Sequence, residues 1–295
     1  MPTKGWNMNE TTDQRGLKGF LNKGGFWRLL ALLVVYFAIY LGAGRVAGQL
    51  RGESDEGELL DSVSNVFFDL TFGLIVGAVL LTAFTAYMGW NKEIYGRQPV
   101  YRSGWMWLGP IIAVVPIVLR VLDIDWGGPA LSVVLMVLAT GLMIGYVEEL
   151  LFRGIAVRML RAAGHREFAV AVISSLLFAV SHSVNALNGQ ELTTVGSTVL
   201  YTFAFGALMY LTMRSFGFIL AAMILHGLTD PTAILATGGI DEVSVTAPEG
   251  LAAVNGGFTF FVLIPIGIIL LLCVRGKAGE EKTGAPASEA PMVSA

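Results

Sequence analysis

The chain has 295 residues, 55% of them hydrophobic and only 14% charged, with a mean hydropathy of +0.68. Soluble domains carry about 25% charged residues, so a single water-soluble globule is excluded and the composition describes a polytopic membrane protein. With 19 Lys and Arg against 22 Asp and Glu the net charge is -3, which leaves no basic excess for nucleic acid; one cysteine, Cys273, excludes an internal disulfide or a multi-cysteine metal site.

A helix needs about 20 mostly apolar residues to cross the hydrocarbon core. The first 24 residues are too long and polar for the n-region of a cleaved signal peptide, so the first apolar run, 26–43, reads as a retained anchor. Seven further runs follow at 67–90, 105–122, 130–152, 168–183, 195–213, 216–235 and 257–274. The fifth is short and spans only if it continues past Arg166 or Ser183. The expected fold is therefore all-α, a multi-pass bundle of about eight transmembrane helices.

The cations give an independent test, because Lys and Arg accumulate in cytoplasmic loops. With the N-terminus in the cytosol, the inner segments hold Lys4, Arg15, Lys18, Lys23 and Arg28, then Lys92, Arg97 and Arg102, then Arg153, Arg158, Arg161 and Arg166, then Arg214, and finally Arg275, Lys277 and Lys282. Only Arg45, Arg51 and Arg120 fall outside, where the acidic Glu53, Asp55, Glu56, Glu58, Asp241 and Glu242 gather. Both termini are expected in the cytosol, with the helices crossing the cell membrane. The expected division is a polar segment at 1–24, a membrane domain at 25–275 and a disordered cytosolic tail at 276–295. No CaaX cysteine ends the chain, so it is not expected to be prenylated itself.

The informative residues are those that do not belong in lipid. A charge at the bilayer centre costs about 2.5–3.5 kcal/mol and persists only by pairing or by lining a polar cavity. In Gly141-x-x-x-Gly145-x-x-Glu148-Glu149-x-x-x-Arg153, the residues Gly141, Gly145, Glu149 and Arg153 recur every four positions and share one helix face. The glycines admit a neighbouring helix, and Glu149 and Arg153 form an i,i+4 ion pair. Glu148, rotated by about 100°, is left without that partner and becomes a candidate general base. Gly164 is placed to turn a hairpin. Glu148 lies 16 residues before it and His182 lies 18 after it, so both stand about 24–27 Å from the turn; His226, 12 residues past Arg214, stands about 18 Å in. Three ionisable groups from three helices thus converge in depth. Ser181 and Ser183 flank His182 and can orient it, His226 and Asp230 are again i,i+4, and Pro231 deprives the Gly227 carbonyl of its helical partner, which by itself reads as a kink or helix end and, beside these groups, as unwound backbone lining a polar site.

Other features read as structural. Asp69 is interfacial, Gly73-x-x-x-Gly77 is a packing motif, His165 titrates at the surface among arginines, and Cys273 is inert at a helix end.

Glu148-Glu149-x-x-x-Arg153, Phe178-x-x-x-His182 and His226-x-x-x-Asp230, in this order, resemble the CPBP family of CAAX proteases and bacteriocin-processing enzymes, also called Abi or type II CAAX prenyl endopeptidases. The resemblance covers about residues 130–237. It implies an intramembrane endopeptidase that cleaves a membrane-associated peptide or protein, prenylated or bearing a leader, near the cytosolic side. Glu148 would activate water, Glu149 and Arg153 would shape the helix, with Glu149 sharing the base role as an alternative, His182 would hold the water or assist proton transfer, and His226 with Asp230 would stabilise the oxyanion. Many relatives carry Asn at the position of Asp230; an ionised Asp cannot donate a hydrogen bond, so Asp230 is either protonated or orients His226.

Metal dependence stays open at this point. Glu149, His182 and His226 have the composition of a His₂Glu zinc site, although the His-Glu-x-x-His helix is absent, and a metal-free glutamate–histidine mechanism is equally consistent. Two other classes compete: a proton-coupled transporter, which predicts ionisable residues along the whole depth rather than in four consecutive spans, and a non-catalytic bacteriocin-immunity or membrane factor. The absence of an internal repeat weighs against a transporter built from duplicated halves.

Overall fold

The structure, a computed structural model, describes residues 16–51, 57–238 and 249–279. Lys4, Arg15, Glu53, Asp55, Glu56, Asp241, Glu242 and Lys282 lie outside the described residues, as do most of the polar N-terminal segment and of the C-terminal tail. Eight helices are long and apolar enough to cross a membrane: α1 (Phe26–Arg51), α2 (Val63–Met88), α3 (Gly104–Asp123), α4 (Leu131–Ala162), α5 (Glu167–Leu187), α6 (Leu192–Phe216), α7 (Ile219–Thr237) and α8 (Gly250–Leu272). No strand occurs among the described residues.

The eight-helix, all-α architecture is the expected one, with longer elements. α4 runs ten residues past the apolar stretch because its charges meet protein rather than lipid. Arg158 pairs with Glu93 at 2.8 Å and lies over the Trp90 ring at 3.8 Å. The fifth span reaches its length through a tight 3₁₀ turn, His182–Asn188, that continues α5.

In a membrane, helices associate through close packing, so backbones approach where side chains are small. The glycines of α4 do this. A Cβ on Gly141 would lie 2.3 Å from Cδ of Pro231, and one on Gly145 would lie 2.3 Å from the Met223 carbonyl oxygen and 2.4 Å from the Gly227 nitrogen. α4 and α7 are thereby locked together. Gly73 and Gly77 of α2 face Tyr40 and Tyr36 of α1 in the same way, and Gly267 of α8 faces the Ala204 backbone of α6.

Pro231 does not unwind its helix as the sequence suggests: α7 continues to Thr237. Threonines take up carbonyls around the proline. Thr229 donates to Leu225 O at 3.0 Å, and Thr232 to Leu228 O at 3.0 Å and Thr229 O at 2.8 Å. The ring itself fills the notch at Gly141.

The cationic end of the bundle is not a solvated fringe either. Glu167, fully buried at the start of α5, accepts two bonds from Arg161, Nε to Oε1 and Nη2 to Oε2, both 2.8 Å. Arg214 of α6 reaches its Oε2 at 3.1 Å, and the Tyr210 hydroxyl donates to the same oxygen. Sequence reading places Arg161 and Arg214 among inner-segment cations. The structure folds both inward because one buried carboxylate compensates two guanidiniums, joining α4, α5 and α6. Gly164 (φ +83°) makes the turn between α4 and α5.

Two stability predictions follow from this packing. Gly145→Ala meets backbone that cannot move aside, so it should lower stability by about 1–3 kcal/mol or more, whereas Gly42→Ala, with open space around it, should leave thermal unfolding in detergent unchanged. Glu167→Ala strands two buried guanidiniums and should cost about 3–5 kcal/mol, read in the same assay.

Candidate active site

Glu148 and Glu149 are neighbours on α4, and the helix turn between them sends them to different places. Glu149 points into the bundle, where its side chain has no exposure. Its Oε1 lies 3.0 Å from Nη1 of Arg153 and 2.9 Å from Nδ1 of His226. Its Oε2 is buried with no hydrogen-bond partner among the described residues. Arg153 lies in a π-helical turn, Leu150–Ala156, of the kind often found at functional sites. It donates through Nη2 to the Gly206 carbonyl at 3.0 Å and lies over the Phe178 ring, 4.4 Å from the centroid. Gly206 has to be glycine for this, since a Cβ there would stand 2.9 Å from Nη2.

His226 of α7 is 2% exposed and wedged between aromatic rings, 5.0 Å from Phe205 and 5.7 Å from Phe178. Because an ionised carboxylate only accepts, the Nδ1 contact with Glu149 sets a proton on Nδ1 and turns Nε2 the other way. Nε2 then stands 3.3 Å from Oδ2 of Asp230 and 3.6 Å from Oε2 of Glu148. Those two carboxylates are the exposed members, at 24% and 28%. The three atoms share at least one proton, since an acceptor nitrogen and two bare carboxylates would repel at these distances. Glu148 is thus a half-buried group facing both a cavity and an imidazole, where sequence reading expects a buried carboxylate without a partner.

His182 begins the 3₁₀ turn that ends α5. Its Nδ1 lies 2.9 Å from the Phe178 carbonyl, which can only accept, so Nδ1 carries the proton and Nε2 is the acceptor of the neutral ring. The Ser181 hydroxyl does not orient the imidazole as expected; it donates to the same Phe178 carbonyl at 2.6 Å. His182 packs edge-on against Phe178, ring centroids 4.8 Å apart. Phe178 therefore touches Arg153, His182 and His226 at once.

A cavity of about 420 Å³ opens onto these groups, with Glu148, His182 and Asp230 in its wall. The sequence motifs account for that part of the lining. They miss Tyr36 and Tyr40 of α1, Asp69 of α2 and Arg120 of α3, which complete the wall from helices outside the motif region, and Tyr201 of α6 within it. Their only sequence signal is a polar or aromatic residue within an apolar run, which in a membrane helix usually marks packing. Asp69 is more than interfacial: it lines the cavity while paired with Arg51 at 2.6 Å.

The zinc set Glu149, His182 and His226 does not fit. Glu149 has no exposure, takes no part in the cavity wall and holds Arg153 and Nδ1 of His226 on one oxygen, so it does not join His182 at the cavity. No group of three or more His, Cys, Asp or Glu side chains among the described residues is placed to hold a metal.

Residues 130–232 match the family model described as type II CAAX prenyl endopeptidase Rce1-like. No curated protein and no solved structure matches the chain. The matched segment spans α4 to α7 and contains Glu148, Glu149, Arg153, His182, His226 and Asp230. Residues 130–232 of this multi-pass membrane protein thus carry an Rce1-like domain, similar to the type II CAAX prenyl endopeptidases, and that likeness indicates a peptidase.

Proposed function

We propose that the protein is an intramembrane endopeptidase in which Glu148 activates the attacking water, Glu149 and Arg153 position His226, and His182, His226 and Asp230 bind the water and the developing oxyanion. The observation that carries this reading is the approach of Glu148 Oε2 and Asp230 Oδ2 to one imidazole nitrogen, at 3.6 and 3.3 Å, in the wall of a cavity of about 420 Å³.

Glu148 accepts a proton from water as the water oxygen bonds to the peptide carbonyl carbon. The carbonyl oxygen becomes an oxyanion beside His226 Nε2 and Asp230, one of which donates the proton that the set shares. As the tetrahedral carbon collapses, the C–N bond breaks, and the proton held by Glu148 passes to the departing amine. His182, whose Nδ1 is committed to the Phe178 carbonyl, accepts the water's second hydrogen through Nε2 and aims it. Positioned general base catalysis contributes about 10²–10⁴-fold and one oxyanion donor about 10²–10³-fold. The orientation that supports this reading puts the ends bearing Arg158, Arg166, Arg214 and Arg275 in the cytosol, by the distribution of positive charge in a cell membrane.

Glu148→Gln keeps the shape and removes the base. Substrate processing, read by comparing the membrane and released peptides of cells carrying either form, should fall by about 10²–10⁴-fold with unfolding temperature unchanged. A bacteriocin-immunity or scaffolding role would survive that change. At Asp230 the roles separate: if it donates to the oxyanion, Asp230→Asn should keep the rate within about tenfold while Asp230→Ala loses about 10²–10³-fold.

A further inference from the structure

We infer that Tyr36 of α1, outside the matched segment, is a further catalytic residue: its hydroxyl donates to the oxygen of the attacking water, whose own hydrogens go to Glu148 and His182. The inference rests on the peptidase reading given above and supplies the donor that this set lacks.

A water activated by Glu148 gives one hydrogen to that carboxylate and the second to Nε2 of His182, and it attacks through one lone pair. A donor to its other lone pair fixes the direction of that attack. Glu148 as the base and His182 Nε2 both accept, since Nδ1 of His182 is committed to the Phe178 carbonyl. The proton shared by His226 and Asp230 serves the oxyanion. The donor to the water therefore comes from another part of the cavity wall.

Tyr36 is placed to be that donor. Leu29, Leu33, Tyr36, Ala43 and Ala47 are the buried residues of α1, and their spacing makes one stripe that faces the bundle. Tyr36 is the polar member of this stripe. It is 5% exposed and lies in the wall of the same cavity as Glu148 and His182. A Cβ on Gly77 of α2 would stand 2.7 Å from the Tyr36 hydroxyl oxygen and 3.4 Å from Cγ1 of Val147, the residue before Glu148. The hydroxyl thus sits in a glycine notch beside the turn of α4 that carries the base, and the stacked ring of Tyr40, 6.0 Å away, holds its plane.

The hydroxyl is within electrostatic reach of Glu148, yet no direct hydrogen bond occupies it among the described residues. Two polar groups that share a cavity at more than hydrogen-bond distance are joined through water. Packing does not account for the oxygen. Phenylalanine would fill the stripe and stack on Tyr40 equally well, whereas a phenol at membrane depth carries a desolvation cost until its O–H finds an acceptor.

Tyr36→Phe in the full-length protein removes the hydroxyl and keeps the ring, the stack and the notch. The probe is the peptide whose processing differs most between cells carrying the wild-type and Glu148→Gln forms, followed over time in membranes from those cells. Tyr36→Phe should slow its processing by about 10²-fold with the unfolding temperature in detergent unchanged. The double variant Tyr36→Phe/Glu148→Gln should be no slower than Glu148→Gln alone, because two groups acting on one water are not additive. If Tyr36→Phe does not accumulate in the membrane, Gly77→Ala, whose methyl displaces the hydroxyl without deleting it, takes its place with the same expectations. A wild-type rate, a slower rate matched by a lower unfolding temperature, or a double variant slowed by the same factor again would each overturn the inference. If no peptide differs between wild type and Glu148→Gln, the peptidase reading falls and takes this inference with it, a result distinct from a wild-type rate in Tyr36→Phe alone.

Discussion

A carboxylate with no solvent exposure, in the middle of a membrane bundle, is the constraint around which the rest is arranged. Burying an ion costs several kcal/mol even after relaxation, and the cost is offset only by good geometry with a partner. Glu149 takes both of its partners on one oxygen, Arg153 at 3.0 Å and His226 at 2.9 Å, and leaves the other oxygen without a hydrogen bond. All the compensation therefore runs through Oε1. Arg153 is fixed in turn by the Phe178 face and the Gly206 carbonyl, so α4, α5, α6 and α7 meet at one ion. Removing any member exposes an uncompensated charge, which keeps the four helices in register.

That ion also explains how two adjacent glutamates come to differ. Successive helical residues are rotated by about 100°, so Glu149 faces the bundle and Glu148 the cavity. Glu149 holds Nδ1 of His226 and so directs Nε2 at Glu148 and Asp230. The buried pair is thus part of the site's geometry without touching the cavity. A carboxylate hydrogen-bonded to an imidazole and ion-paired with a guanidinium has little basicity left, which is why the proposed base is its half-exposed neighbour.

What the sequence discloses and what it conceals divide along a physical line. Spans are legible because lipid imposes length and apolarity on each helix separately, and i,i+4 pairs such as Glu149 with Arg153 and His226 with Asp230 are legible because helical geometry alone sets them. The hydrogen bond between Glu149 and His226 is not, because it joins residues 77 positions apart. Neither is the cavity wall contributed by α1, α2 and α3, whose residues carry no local mark. Glu167 is the sharpest case. At a helix start among arginines it carries no local mark of burial, and only the arrival of Tyr210 and Arg214 from α6 makes it a buried hub. Pro231 shows the opposite error. Its missing N–H is a true local signal, but the helix runs on through it: threonine hydroxyls bond the neighbouring Leu225, Leu228 and Thr229 carbonyls, and the ring seats in a glycine notch on α4.

The two buried charge centres divide the bundle by depth. The one at Glu167 joins α4, α5 and α6 at the cationic end, where the short loops leave little room for side chains to move apart. The one at Glu149 joins α4 to α7 near mid-depth, where the close approach of Gly141 to Pro231 continues the same contact. With α4, α5, α6 and α7 tied at these two centres, the cavity forms beside Glu148, His182 and Asp230, bounded by α1 and α2, whose own tight contact at Gly73 and Gly77 places Tyr36 and Tyr40 in its wall. Hydrolysis inside a membrane needs water at a carboxylate and a way in for a peptide. The paired charges at Glu149 and Glu167 hold the helices around that space without entering its wall.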